Sequence, residues 1–179
     1  MKHVFIVAEI GCNHNGSKDL AREMVIKAKE CGVDAVKFQT FKADALISCY
    51  APKAEYQKET TGTVESQLEM TQKLELSHDD LIELKAYAES LGLVVFSTPF
   101  DLDSVDFLNS IGQSLWKIPS GEITNLPYLK RIGAIKIDNK KIILSSGMAT
   151  IDEIKTCMGV LVEAGTNEND IILLHCNTE

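Results

Sequence analysis

Six short apolar runs recur along the chain, and each is separated from the next by a segment of a different character. The runs are VFIVAEI (4–10), DAVKFQT (34–40), LVVFSTPF (93–100), LWKIPS (115–120), KIILSSGM (141–148) and DIILLHCNT (170–178). They are rich in Val, Ile and Phe, and most are near-continuous rather than alternating. This pattern is typical of strands that are buried on both faces of a parallel sheet covered by helices.

Five helical patterns lie between these runs. SKDLAREMVIKAKECG opens with Ser17 as its predicted N-cap and ends at Gly32, and SHDDLIELKAYAESLG has the same arrangement with Ser77 and Gly92. The other three are DLDSVDFLNSIG, NLPYLKRIGAI and TIDEIKTCMGVLVEAG. Strands that alternate with helices in this way predict a parallel sheet whose strands are joined by right-handed crossovers.

One connection, between Thr40 and Ser77, is much longer than the others. Its polar centre, YQKETTGTVE, offers few residues to a core. A long loop inside a compact domain is usually functional or mobile, and a solvated insertion is the alternative interpretation.

Two α/β architectures fit the alternation: an open doubly wound sheet, or part of a (β/α)8 barrel. The first strand-to-helix turn, EIGCNHNGS, contains no GxGxxG, and the chain contains neither a Walker A nor a GxSxG motif. Polar residues gather instead at the strand ends, where a barrel carries its active site. We therefore predict an α/β fold of the (β/α)8 TIM-barrel class, with residues 1–179 holding about six of the eight βα units.

Charge and cysteine content exclude some classes of function. The formal net charge is -8, which argues against nucleic acid as a partner, although a few lysines in a cleft can still bind a small anion. The five cysteines include no CxxC pair, which favours free thiols in a reducing cytoplasm. The apolar runs are too short to cross a membrane, so we expect a soluble, cytoplasmic protein without a membrane partner.

Every predicted strand brings polar groups to its carboxyl end. They are Glu9, Asn13, His14, Asn15, Lys37, Gln39, Ser97, Thr98, Lys117, Ser120, Glu122, Ser145, Ser146, His175, Asn177 and Thr178. Independent structural salt bridges would not be expected to collect at one end of all strands. This shared location is the main sign of a functional site.

Two lysines within strands suggest what this site binds. Lys37 shares a strand face with Gln39, and a buried lysine needs an anion nearby. Lys37 and Lys117, with the neighbouring hydroxyls, predict a pocket for phosphate or a phosphorylated carboxylate, and Glu122 would move protons or hold a polar substrate. The alternatives are that Glu9 is simply the structural partner of Lys37, or that one lysine forms a Schiff base with a carbonyl substrate.

Other strand-end residues have structural interpretations as well. Ser145 and Ser146 precede a glycine and fit a turn. His14 could cap the first helix rather than contact a ligand. His175 and Cys176 are adjacent on a strand and point to opposite faces, which disfavours a shared metal ion.

Several longer stretches resemble one known family. They are AEIGCNHNGS, VKFQTFKADALIS, YAPKAEYQKETTG, ESQLEMTQKLEL, FSTPFD, WKIPSGEITNLPYL, SSGMATIDEI and LLHCNTE. Together they resemble the N-terminal barrel of bacterial N-acetylneuraminate (sialic acid) synthases over essentially the whole chain. The related legionaminate, pseudaminate and 3-deoxy-octulosonate synthases are alternatives.

The resemblance implies a transferase of carbohydrate biosynthesis that condenses phosphoenolpyruvate with N-acetylmannosamine. Carbon C3 of phosphoenolpyruvate would attack the open-chain aldehyde, and water would add at C2. Phosphate would then leave by C–O cleavage. The resemblance also implies Mn²⁺ or Mg²⁺ as a Lewis acid, with its histidine ligands beyond residue 179 and none within this chain.

The resemblance assigns roles to individual positions. The implied phosphoenolpyruvate-binding residues are Lys37, Thr98, Lys117, Ser120, Ser145, Asn177 and Thr178, of which Asn177 or Thr178 would contact the phosphate. Gln39 would bind the sugar. Glu9 is the first choice for the catalytic acid or base, and Glu122 is the second.

The resemblance implies that family members are longer than this chain. They carry two further barrel strands and a C-terminal antifreeze-like domain, which completes the active site of the partner subunit in a domain-swapped homodimer. This chain alone is therefore expected to be weakly active or inactive.

Overall fold

The computed structural model describes residues 3–51 and 66–177, and contacts divide the chain into two compact units. Unit 1 comprises Met1–Val95 and unit 2 comprises Phe96–Glu179. The polar centre of the long connection and Thr178 lie outside the described residues.

The six predicted strands are present, with shorter bounds than the apolar runs. They are β1 (Val7–Gly11), β2 (Ala35–Thr40), β3 (Val94–Pro99), β4 (Leu115–Ile118), β5 (Lys141–Ser145) and β6 (Ile171–Leu174). One three-stranded sheet has the order β1-β2-β3, and a second has the order β4-β5-β6. The pairs β1–β2, β4–β5 and β5–β6 are parallel, as the alternation with helices predicts.

All five predicted helices are present, and the described residues of the long connection contain two further short helices. The helices are α1 (Lys18–Glu30), α2 (Ala43–Leu46), α3 (Gln67–Gln72), α4 (His78–Ser90), α5 (Leu102–Ser110), α6 (Leu126–Ala134) and α7 (Ile151–Glu163). The predicted caps Ser17 and Ser77 accept hydrogen bonds from the N–H groups of Leu20 and Asp80. The helix α3 has a complete capping box between Ser66 and Glu69, a local signal that the loop interpretation overlooked.

Candidate site residues lie between core residues in two of the strands. In β4, Trp116 and Ile118 are fully buried while Lys117, between them, is half-buried. In β2, Val36 and Phe38 are buried, and so is the charged Lys37. The side chains of β4 thus alternate between the core and the candidate site, whereas Lys37 in β2 is buried together with its neighbours.

The strand β6 differs from the prediction of burial on both faces. Ile172 and Leu173 are each 46% exposed, and Leu174 is 38% exposed. Among the described residues, β6 pairs only with β5, so its other edge has no neighbouring strand to limit its contact with water. The apolar run Val4–Ile6 is likewise exposed and precedes β1 rather than belonging to it.

Two predicted general properties can be compared with the structure. All five cysteines lie among the described residues and are free thiols, as predicted. In the part of the chain that the structure describes, no helix is long and apolar enough to cross a membrane.

Candidate functional site

In unit 1, the parallel register of β1 and β2 brings Glu9 opposite Lys37. Lys37 Nζ lies 2.9 Å from Glu9 Oε2, and only 4% of the Lys37 side chain is exposed, against 61% of the Glu9 side chain. Glu9 is therefore an ion-pair partner of Lys37, as the structural alternative in the sequence predicts. Because the carboxylate reaches solvent, it remains accessible to a substrate as well.

A β-bulge changes the direction of the chain directly after Glu9. The register with β2 shifts between Glu9 and Gly11, and the intervening Ile10 is buried. Gly11 has a φ of +57°, in the left-handed region that glycine adopts without strain. Bulges next to functional sites commonly redirect a side chain. Here the turn brings the Cys12 thiol to Gln39, with Sγ 2.9 Å from Oε1.

The Cys12 thiol has a perturbed acidity. Burial raises its pKa to about 11, and the positive charge of Lys37 only partly offsets that effect. The group is therefore a protonated S–H donor throughout the physiological pH range. The sequence predicts Cys12 only as a free thiol, because nothing local reveals its contact with Gln39, 27 positions away.

His14 lies in the same β1–α1 loop and is fully buried. Its Nδ1 accepts a hydrogen bond from the Gly16 N–H at 3.1 Å, while its Nε2 has no hydrogen-bond partner among the described residues. Burial lowers the pKa of His14. His14 therefore stabilises the loop, and Ser17 rather than His14 caps α1.

In unit 2, the residues after β4 form a short 3₁₀ turn, Ser120–Glu122, that leads into α6. The Glu122 carboxylate accepts a hydrogen bond from Asn125 Nδ2 at 2.7 Å. Asn125 in turn caps α6, because its Oδ1 accepts from the Tyr128 N–H. Glu122 is thus held at a helix N-terminus, where a negative charge is favoured, and it remains half-buried.

The end of β5 carries the predicted residue Ser145, which is buried. The next residue, Ser146, connects the ends of β5 and β6, since its N–H and its hydroxyl both donate to the Leu174 carbonyl at 3.0 and 2.8 Å. Thr98 is fully buried at the end of β3. His175 and Asn177 are exposed after β6.

A second cysteine, Cys176, lies near the predicted anion-binding residues of unit 2. Desolvation raises its pKa, but hydrogen bonds with the Gly147 backbone, the Ser145 hydroxyl and the Ser146 backbone, together with the charge of Lys117, outweigh that effect and lower it overall. The groups that favour a thiolate here are those that would favour any anion. Cys176, Ser145 and Lys117 therefore lie close together at the carboxyl ends of the strands of unit 2.

Residues 3–51 and 66–177 contain no group of three or more His, Cys, Asp or Glu side chains placed to hold a metal ion. The implied divalent metal therefore has no fitting site among them.

A cavity of about 620 Å³ lies at the opposite, amino ends of β5 and β6. Its charged lining is occupied by local structure: Lys141 pairs with Asp170, and Lys140 donates to the carbonyls of Ile132, Gly133 and Ile135 at the end of α6. The cavity thus lies apart from the strand-end residues.

Comparison with known proteins connects these residues to a family. The model of the NeuB family matches residues 24–179. The chain is 52% identical over its whole length to the N,N'-diacetyllegionaminic acid synthase of Campylobacter jejuni, covering 53% of that protein. It is 47% identical to the Legionella pneumophila protein of the same name, with 97% of this chain and 49% of that protein covered.

A solved structure supports the fold. The N-acetylneuraminic acid synthetase of Leptospira borgpetersenii, solved in complex with citrate, matches 99% of this chain and 55% of that one, with 28% identity and a TM-score of 0.79. The predicted (β/α)8 class is confirmed by this likeness. The chain spans about half the length of the curated relatives it matches.

Proposed function

Because the chain belongs to the NeuB family, we propose that its protein condenses phosphoenolpyruvate with an N-acetylated amino sugar to give a nine-carbon sugar acid and phosphate. The observation that carries this proposal is the strand-end cluster of unit 1. There, a buried lysine, an exposed carboxylate and a half-buried amide lie side by side as Lys37, Glu9 and Gln39.

The anion-binding roles follow from charge. Phosphoenolpyruvate carries a carboxylate and a phosphate, and ammonium groups with hydroxyl donors form strong hydrogen bonds to such anions. In this proposal Lys37 and Lys117 supply the positive charge. The hydroxyls of Thr98, Ser120 and Ser145 donate to the anion, and Asn177 or Thr178 contacts the phosphate.

The reaction also requires proton transfers. Carbon C3 of phosphoenolpyruvate forms a bond to the aldehyde carbon, whose oxygen gains a proton. Water then adds at C2 and loses one proton. The C2–O bond to phosphate then breaks, the new C2 hydroxyl loses its proton to form the ketone, and phosphate departs. We assign the water's proton to Glu9, because its carboxylate reaches solvent beside Lys37, and Glu122 is the alternative base.

The resemblance also implies Mn²⁺ or Mg²⁺ with ligands beyond residue 179. We propose this metal requirement for the protein, together with a domain-swapped homodimer. The proton transfers assigned to Glu9 or Glu122 do not involve the metal ion.

The acceptor sugar is the point on which the comparisons favour the alternative prediction. Two relatives named as N,N'-diacetyllegionaminic acid synthases are 52% and 47% identical to this chain, whereas a named N-acetylneuraminate-9-phosphate synthase is 37% identical and a named N-acetylneuraminic acid synthetase is 28% identical. We therefore propose an acceptor sugar that is three carbons shorter than N,N'-diacetyllegionaminic acid and already carries both of its N-acetyl groups. N-Acetylmannosamine is the second candidate.

The test is an incubation of the 179-residue chain, and of any longer chain that its gene encodes, with phosphoenolpyruvate, Mn²⁺ and each acceptor in ¹⁸O-labelled water. Mass spectrometry should detect the sugar acid, and the released phosphate should contain no ¹⁸O because the C–O bond breaks. Label in the phosphate would refute that cleavage. Absence of product from every form and acceptor would refute the proposed function.

Variants separate anion binding from covalent catalysis. Lys117→Ala should raise the KM for phosphoenolpyruvate, while Lys136→Ala, on the exposed loop before β5, serves as the matched control. A Schiff-base aldolase would instead form a borohydride-trapped adduct on Lys37 or Lys117. The ion pair with Glu9 argues against a Schiff base at Lys37, because the ion pair requires an ammonium ion whereas Schiff-base formation requires a free amine.

A further inference from the structure

The contact between Cys12 and Gln39 has no role in the mechanism described so far. Cys12 Sγ donates to Gln39 Oε1 at 2.9 Å, which is short for a bond that involves sulfur. Both side chains are half-buried, so the bond lies where the cluster of unit 1 meets solvent. Gln39 follows Lys37 by two residues on β2 and therefore shares its strand face.

Local geometry directs each end of this bond. The bulge in β1 and the left-handed Gly11 place Cys12 after a sharp change of direction rather than in register along the strand. A side chain at position 11 would approach Gln39 Nε2 at 3.8 Å, so glycine leaves the space beside that amide nitrogen open. The Cys12 thiol therefore contacts the carbonyl end of the amide, while position 11 carries no side chain beside its amino end.

An amide has two chemically different ends that occupy nearly the same volume. A glutamine that binds a sugar must present either its carbonyl oxygen, which accepts, or its NH₂ group, which donates. A protonated thiol beside Oε1 favours the second orientation, because the thiol donates to the carbonyl oxygen and leaves both N–H donors of the amide available.

We propose that Cys12 is a positioning residue that fixes the Gln39 amide so that its NH₂ group donates to an oxygen of the acceptor sugar. This inference rests on the proposed function, in which Gln39 contacts the sugar. It adds a residue outside the predicted site that acts on sugar binding only through Gln39. It also predicts that phosphoenolpyruvate binding is independent of Cys12.

The geometric half of the proposal is tested without activity. In the ¹⁵N-labelled 179-residue chain, the side-chain NH₂ signals of Gln39 are identified by their loss in Gln39→Leu. Cys12→Val, which is slightly larger and has no donor, should shift these signals, whereas Cys12→Ser should leave them near their original positions. The Gln113 side-chain signals, from unit 2, are the internal control. Unchanged Gln39 signals in Cys12→Val would overturn the proposal.

The functional half is tested by kinetics on the active form of the protein. Cys12→Val should raise the KM for the acceptor sugar about threefold to tenfold, the range expected for one net hydrogen bond. The KM for phosphoenolpyruvate and kcat should stay unchanged, and Cys12→Ser should restore the sugar KM. An unchanged sugar KM in Cys12→Val overturns this inference alone. An unmodified protein that turns over no acceptor overturns the proposed function as well.

Discussion

Gln113 substitutes for a neighbouring strand beside β3, and replacing it should destabilise unit 2. This residue is 4% exposed, and its side-chain amide forms two hydrogen bonds with the backbone of Ser97. The Ser97 N–H donates to Oε1 at 2.7 Å, and Nε2 donates to the Ser97 carbonyl at 2.9 Å. The next residue, Thr98, is one of the proposed anion ligands, so the same contact supports the site.

Gln113→Leu keeps a similar volume and removes both hydrogen bonds. Each buried bond that is lost costs about 1–2 kcal/mol, so we expect the free energy of unfolding to fall by about 2–4 kcal/mol. Domains of ordinary stability unfold at a cost of about 5–15 kcal/mol, which makes this loss easy to measure.

Urea unfolding followed by tryptophan fluorescence measures the change in the relevant unit. The chain has one tryptophan, Trp116, which is fully buried in β4 of unit 2. The midpoint of the transition should fall in Gln113→Leu while its slope with denaturant stays the same, since the surface exposed on unfolding is unchanged.

Gln113→Glu provides a matched variant that titrates. A protonated carboxyl group can accept from the Ser97 N–H and donate to its carbonyl, as the amide does, whereas a carboxylate cannot donate. Burial beside a carbonyl raises the folded pKa of this glutamate above its unfolded value of about 4.3. The folded state then binds more protons, so stability is retained at low pH and lost as pH rises through the folded pKa.

The expected result is therefore a small penalty for Gln113→Glu near pH 5 and a larger one at pH 8. A Gln113→Leu variant within 0.5 kcal/mol of the unmodified chain would refute the reasoning, because surface substitutions typically stay within about that range. A Gln113→Glu penalty that does not change with pH would refute the proposed pair of hydrogen bonds.

Three further perturbations test other parts of the structure. Glu9→Gln removes the carboxylate partner of buried Lys37 and should lower the free energy of unfolding by about 1–2 kcal/mol. Adding Lys37→Met should recover part of that loss. Full stability of Glu9→Gln would contradict the ion pair. Thr150→Ala removes the capping box of α7 and should cost about 1 kcal/mol in urea unfolding, whereas an unchanged midpoint would mean that the cap contributes nothing. Because burial lowers the pKa of His14, the unfolded chain binds this proton more readily, so stability should fall as pH drops below about 6.5. His14→Phe should flatten that slope, measured as unfolding midpoints between pH 5 and 7.5, and an identical slope would exclude His14 as its source.

The local elements were predictable because their causes are local. Ser17 and Ser77 cap the helices that follow them, as their side chains and the next apolar residues indicate. The helix α3 was missed although Ser66 and Glu69 carry the capping-box signature, because the polar loop around it dominated the interpretation.

The candidate site was predictable only as a set of residues. The alternation of strands and helices brings Glu9, Lys37 and Gln39 to strand ends, and it allowed Glu9 to be named as a possible partner of Lys37. It could not choose between that pairing and a catalytic role, since the choice depends on the register between two strands.

By itself, the sequence determined the strands, the main helices, their caps and the strand ends at which polar groups gather. Those features depend on periodicity and on contacts within a few residues. Only the tertiary structure decided that Cys12 bonds to Gln39 and that Gln113 bonds to the backbone of Ser97. The first contact needs a bulge that shifts the register by a residue, and the second needs a side chain to take the place of a strand. The free energy of such contacts is set by burial and exact position, which no pattern along the chain records.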